Sequence, residues 1–296
     1  MPSTRDLRRR IKSIKNTSQI TKAMQMVAAA KMRKAQNAAL TGRPYTDLLN
    51  QMLGSLQKDV SDFTHPLMES REVRKKAVLI VSTDKGLCGG LNTNLLKEVL
   101  PYDKDTTAFV TAGRKGAQFI HRTKRNLLAE FTCKDSPEFV EARSISKFLQ
   151  DSFLKGEVDQ VDILYTNFVS TIRVEPTVRQ LLPIVEISEL EADLVDSAES
   201  DTSKTKPDDA VEFTYEPSPS EVLGSLMPHY LNYVVYQTLL EARASEHSSR
   251  MVAMKNATDN AKSLIKDLSL EYNKVRQAAI TSELLEITTA AMAMEN

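Results

Sequence analysis

LSLEYNKVRQAAITSELLEITTAAMAMEN, residues 268–296, closes a run of 68 residues (229–296) that contains neither Gly nor Pro. At 1.5 Å per residue such a run makes a helix of roughly 100 Å. A second run, the 39 residues between Pro2 and Gly42, makes one of roughly 58 Å by the same rule. Ordinary globular helices average ~11 residues, so helices this long need a companion along their length. Read at alternating 3- and 4-residue steps, the first offers Ile11, Ile14, Ser18, Thr21, Gln25, Ala28, Met32 and Ala35 as a seam. The second offers Leu270, Asn273, Gln277, Ile280, Leu284, Ile287, Ala291 and Met294. Many of these residues are small, which suits closely approaching helices better than a leucine zipper.

The middle of the chain has a different period. AVLIVST (Ala77–Thr83) reads as a buried strand; Thr107–Thr111, Val161–Phe168 and Val174–Ile184 read as further strands. Leu91–Leu100, Arg114–Arg122 and Pro137–Leu154 read as helices between them. Alternation of this kind predicts a largely parallel α/β layer. The expected fold class is therefore α/β with long helices: an antiparallel coiled coil of the terminal helices plus an inserted Rossmann-like domain. The expected segments are 1–60 (first helix), 70–218 (α/β domain, with an acidic loop at 189–221) and 219–296 (second helix). Both helices are expected to meet the domain at one base, at Gly42/Pro44 and at Gly224/Pro228. Aligned there, the second outruns the first by 29 residues, about 43 Å, from Leu268 onward.

That overhang is unusual in composition. Ala278–Met294 has 11 apolar residues in 17, on all sides of the helix, with Glu283 and Glu286 its only charges. A helix apolar all round must be covered. Either it folds back on the α/β domain or another protein sheathes it.

Composition narrows the function classes. Gly is 9 of 296 residues, well under the usual ~7%, and Trp is absent, as long helices favour. Two cysteines, Cys88 and Cys133, make no disulfide framework and fit a reducing compartment. No secretory signal is expected. The Arg-rich start loosely imitates a mitochondrial presequence, but the same helix pattern runs far past any plausible cleavage point. Val222–Leu240 lacks charge over 19 residues, but Gly224, Pro228, His229, Asn232 and Gln237 make it a turn and a buried helix instead of a membrane span. Any membrane association should be peripheral. Lys plus Arg and Asp plus Glu both number 39, so net charge is zero but segregated. Residues 1–34 hold ten basic groups against Asp6, and residues 189–221 hold eleven acids against Lys204 and Lys206. The basic stretch fits an acidic partner, a nucleic acid or a plain solvated face.

Catalytic signals are weak. The one Gly-rich loop, STDKGLCGGLN (82–92), lies between strand and helix, where dinucleotide folds hold phosphate. Its G-x-x-G-G spacing matches neither G-x-G-x-x-G nor G-x-x-x-x-G-K-[ST], so Gly86, Gly89 and Gly90 read as a tight turn. Cys88 lacks a His or acid partner and reads as structural. His121, His229 and His247 are isolated. Met24, Met26, Met32, Met251, Met254, Met292 and Met294 lie on the long helices and read as packing or partner contact. No catalytic, cofactor or metal residues are assigned.

Four stretches, in order, resemble the gamma subunit of F-type ATP synthase: NTSQITKAMQMVAAAKM (16–32) with Arg33 and Lys34; the turn STDKGLCGGLN; ASEHSSRMVAMKNATDNA (244–261); and YNKVRQAAITSELLEI (272–287). The resemblance covers nearly the whole chain. It departs where the family pattern usually has Gly, at Ala290. The resemblance implies a non-catalytic rotor shaft, one per complex, coupling ion-driven rotation of a c ring to conformational cycling of beta subunits during ATP synthesis. It implies alpha, beta and epsilon subunits and the c ring as partners, no cofactor, no nucleic acid, and a peripheral place on the cytoplasmic face of a bacterial inner membrane. It further implies alpha/beta contacts at Met24, Arg276, Gln277, Glu283 and Ile287. Foot contacts to the c ring and epsilon subunit are implied at Phe213, Tyr215 and Glu216.

Overall fold

Hydrophobic alternation along the strands sets the α/β layer. The structure is a computed structural model and describes residues 3–59, 65–171, 173–184 and 215–295. Five strands, β1 (Lys76–Val81), β2 (Thr107–Ala112), β3 (Asn126–Phe131), β4 (Gln160–Phe168) and β5 (Val174–Leu182), form one sheet in the order β3-β2-β1-β4-β5. All neighbours are parallel except β4 and β5. Val78 and Ile80 point to one face with Phe109 and Leu164, where they meet Leu95 and Ile120. Leu95 belongs to α2 (Leu91–Lys97) and Ile120 to α3 (Arg114–Arg122). Ala77, Leu79 and Val81 point to the other face and share a core with Ile145, Leu149 and Phe153 of α4 (Phe139–Leu154). Period-two side chains thus bury both faces, as a doubly wound sheet requires. Strand β3 escapes the sequence reading because NLLAEF sits at the sheet edge and none of its residues is fully buried.

The terminal helices are α1 (Thr4–Asp59) and α5 (Pro219–Glu295). Both are longer than the Gly and Pro positions predict. α1 continues through Gly42 and Pro44, and α5 begins before Gly224 and keeps Pro228 inside it. The reason at Pro228 is burial: Met227, Tyr230, Leu231 and Val234 all lie in the core against the sheet. Proline inside a helix costs about 3 kcal/mol, less than such a row of buried side chains returns. The stretch 222–240 is therefore helical throughout, with no turn. Gly42 marks a close approach instead of an end: the Tyr233 hydroxyl donates to its carbonyl at 2.8 Å.

The chain falls into two compact units, Ala29–Arg250 and a second made of Met1–Ala28 with Met251–Asn296. The second unit is an antiparallel helix pair. Ser3 caps its first helix, accepting from the Asp6 amide. On α1 the inward residues are Leu7, Ile11, Ile14, Ser18, Thr21, Gln25 and Ala28, the seam that periodicity predicts extended by Leu7. On α5 they are Met254, Thr258, Ala261, Ile265, Leu268, Tyr272 and Val275, again at alternating 4- and 3-residue steps. This corrects the second predicted seam. Leu270, Asn273, Gln277, Ile280, Leu284 and Ile287 are all exposed, because they form a different stripe that mostly lies beyond the start of α1. Two cross-links fix the register: Thr21 and Thr258 hydroxyls meet at 2.7 Å, and Arg8 donates to the Tyr272 hydroxyl at 2.6 Å.

Single Thr21→Val or Thr258→Val changes should each cost about 1 kcal/mol, and the double change less than their sum, since both singles lose the same Thr–Thr bond. A double-mutant cycle by urea unfolding checks this. Gly113 has φ +115, and a Cβ there would lie 2.2 Å from the Ser82 carbonyl oxygen. Gly113→Ala should destabilise by roughly 2–4 kcal/mol, whereas Gly86→Ala, with nothing within 4 Å, should cost under about 0.5 kcal/mol.

Candidate functional site

Doubly wound sheets hold ligands at the carboxyl ends of their strands, where the strand order reverses. Here that point lies between β1 and β4, and the turn 82–90 leads out of it. The crevice is filled by the chain's own α5. Ser245 donates to the Thr166 carbonyl at 2.9 Å, and Ser248 to that of Thr171 at 2.6 Å. Beside them lies a buried charge cluster. Arg243 donates to Glu246 at 2.7 Å and to the Cys133 carbonyl at 3.0 Å, and meets Asp84 at 3.4 Å. Arg250 donates to the other Glu246 oxygen at 2.7 Å and to the carbonyls of Lys85 and Gly86 at 3.4 and 3.3 Å. Asp84 also accepts from the Arg114 amide at the start of α3. With Arg114 Nε 4.0 Å from Asp84, three guanidinium groups thus face two carboxylates. The cavity bordered by Thr83, Cys133, Thr166, Arg243 and Glu246 has room for about one water molecule.

The electrostatics follow from burial. Burial opposes the charge on Arg243, but Glu246 and Asp84 outweigh it, so its pKa rises above the ordinary value. Burial pushes the Cys133 thiol up to about 11, well outside nucleophile range. Burial lowers the pKa of His247, with Arg250 and Lys31 adding to the effect and Glu246 and Asp135 opposing it.

The glycine turn differs from its expected form in detail. Of Gly86, Gly89 and Gly90, only Gly89 has positive φ, at +63; Leu87 shares that conformation at +64 without being glycine. Gly90 is the N-cap of α2. Asn92 holds the turn from inside, donating to the Thr83 hydroxyl and to Cys88 Sγ. Cys88 is buried and unpaired.

The residues singled out for partner contact fall in three places. Met24 is half-buried on the helix pair. Arg276 sits 5.9 Å from the Tyr272 ring, which Arg8 approaches at 5.6 Å, so one aromatic ring lies near two cations at the end of the pair. Beyond it no described residue covers α5: every described side chain from Arg276 to Ala290 is exposed, including Gln277, Glu283 and Ile287. The uncovered stretch begins near Gln277 and not at Leu268, because the helices pair further along than a base at Gly42 and Pro228 implies. Ile280, Leu284, Leu285 and Ile287 are 49, 57, 61 and 65% exposed. Ala290 is helical and exposed. Tyr215 is half-buried against the sheet's core and Glu216 is exposed. Phe213 and most of the acidic loop, including Lys204 and Lys206, lie outside the described residues. The basic groups of residues 1–34 are exposed except Lys31, which pairs with Asp135. Among the described residues no helix is long and apolar enough to cross a membrane.

A family model described as ATP synthase matches residues 3–294. The ATP synthase gamma chain of Opitutus terrae is 49% identical over 296 residues, 99% of each chain. That of Akkermansia muciniphila is 46% identical over 296 residues, the full length of both. Among solved structures, a chain in the central stalk and c-ring of Tetrahymena thermophila mitochondrial ATP synthase is similar at TM-score 0.57 and 25% identity, covering 80% of this chain and 99% of that one. A chain in the OSCP/F1/c-ring structure of Euglena gracilis mitochondrial ATP synthase shares the fold at TM-score 0.66 and 18% identity, covering 98% of this chain and 94% of that one.

The lowered pKa of His247 has a definite pH consequence. Below about 6.5 the unfolded chain takes up a proton that folded His247 resists, so this group's contribution to stability falls as pH drops below that value and is constant above it. Thermal melting between pH 5 and 8 should show this slope, and His247→Gln should reduce it, leaving the share of His65, whose pKa burial also lowers.

Proposed function

The chain belongs to the gamma-chain family of ATP synthase and is its non-catalytic rotor shaft, and on that premise we propose which of its surfaces carry the shaft's contacts. The uncovered stretch 277–290 of α5 is the part that alpha and beta subunits sheathe. One observation supports this above the others: Ile280, Leu284, Leu285 and Ile287 stand in solvent on a helix that has run past its partner. An apolar surface of this kind marks a place where another protein excludes water. Gln277, Glu283 and Ile287 belong to that contact, with Arg276 at its edge and Met24 further down the pair. Tyr215 and Glu216 belong to the foot, with Phe213, where the c ring and epsilon subunit bind. The complex holds one copy, on the cytoplasmic face of the bacterial inner membrane, and the chain reaches that membrane only through its partners.

The mechanism is that of an asymmetric ligand. A single shaft touches chemically identical beta subunits at different angles, so it stabilises different conformations in each, and turning it exchanges those conformations. Ion flow, of protons or sodium, supplies the rotation. The exposed basic groups of α1 attract acidic levers on beta. The exposed alanines Ala278, Ala279 and Ala290 offer the sleeve few directional bonds to break as the tip turns.

Ile287→Asp tests this surface. A carboxylate carried into a dry sleeve loses hydration without gaining a partner, and even a neutral polar group costs roughly 1–3 kcal/mol there. The isolated chain should melt within a degree or two of the parent, while ATPase activity of the complex reconstituted with alpha and beta falls severalfold. A large loss of stability in the free chain would show that the tip packs internally. Unchanged melting together with unchanged turnover would show that the tip makes no important contact.

A further inference from the structure

The charge cluster at α5 does more than fill a crevice. Its outermost member, Arg250, is the last residue of the α/β unit. From one guanidinium nitrogen it reaches three acceptors: a Glu246 carboxylate oxygen and the carbonyls of Lys85 and Gly86. Glu246 is in turn held by Arg243, which meets Asp84 at the root of the same turn. The turn is therefore tied to α5 at two points, Asp84 and Lys85–Gly86. Directly after the second tie comes Leu87, with φ +64 and 63% exposed. A leucine in the left-handed region is held there by its surroundings at an energetic cost, and such outliers gather where a surface is put to use.

We infer that Arg250 is a positioning residue that locks the glycine turn to α5, so that the turn and the shaft helix rotate as one piece. The inference rests on the rotor reading. Glu246 orients Arg250 by accepting from it at 2.7 Å, and Arg243 fixes the buried Glu246 from the other side at 2.7 Å. Lysine at position 250 keeps the charge, but its compact ammonium on a flexible stem is not held in plane toward the carboxylate and the two carbonyls as the rigid guanidinium is. Without the tether, the turn is left with its Asn92, Cys88 and Asp84 contacts, and Leu87 is free to leave the left-handed region.

The test uses Arg250→Gln and Arg250→Lys in the full chain, alone and in the membrane-bound complex. Backbone hydrogen exchange of residues 85–90 in the isolated chain reads the tether without reference to rotation. It should quicken about tenfold in Arg250→Gln and less in Arg250→Lys, while β1 and β4 exchange as before and melting drops by only a few degrees. In vesicles, ATP hydrolysis should stay within about twofold of the parent and ions pumped per ATP should fall by half or more. Unchanged exchange in the turn would overturn the tether. Equal quickening across the whole sheet would reduce Arg250 to a general stabilising residue. Quickened turn exchange with undiminished pumping would show that the tether exists but carries no torque.

Discussion

An α-helix that is apolar on every side cannot stand in water without cover, and α5 runs past the described residues that cover it. That constraint organises the molecule. Over 223–248, α5 is buried against the sheet; over 254–275 it has the seam of α1; beyond Arg276 it has nothing. Burial thus declines in three steps along one continuous helix. The first step makes a stable α/β unit, the second extends the helix on small and polar seam residues, and the third leaves an exposed apolar surface, the one proposed above for partner contact. The seam itself is modest, with a Thr–Thr hydrogen bond at its centre where a leucine would bind more strongly. It serves register more than adhesion.

The same helix explains why a Rossmann-like sheet here does no chemistry. Such sheets work by leaving a crevice open at the point where strand order reverses. Ser245, Ser248, Arg243 and Arg250 occupy it, and their hydrogen bonds go to carbonyls at strand ends and in the turn. A site that elsewhere grips a nucleotide grips the shaft instead. Removing Arg243, the buried cation that meets both Glu246 and Asp84, would leave buried carboxylates short of a partner, which is costly.

Much of this is legible in the residues and some is not. The seam of α1 follows from heptad spacing alone, and the alternation in AVLIVST places β1 in a two-faced core. The seam of α5 is harder: its inward residues, Met254, Thr258, Ala261 and Tyr272, are no more apolar than the stripe through Ile280 and Ile287. Spacing cannot say which stripe meets a partner inside the chain. Gly42, Pro44 and Pro228 imitate helix ends, and only tertiary burial shows that they are not. Strand β3 is hidden by its edge position. The charge cluster left one trace in the sequence, an Arg-x-x-Glu-x-x-x-Arg spacing at 243–250 amid Ala and Ser, which puts three charges on one side of a helix otherwise built of small residues. Their partner Asp84 lies far away in sequence, so the pairing needs the fold.

The central claim, that the end of α5 is bare in the chain and sheathed in the complex, is most directly tested by thiol labelling. Cys88 and Cys133 are both buried, so an Ile287→Cys variant carries one accessible thiol among the described residues. Its rate of reaction with a maleimide, measured in the isolated chain and in the complex with alpha and beta subunits, decides the matter. The account predicts reaction at the rate of a free thiol in the isolated chain and slowing of about a hundredfold on assembly. Equal rates in the two states would contradict it.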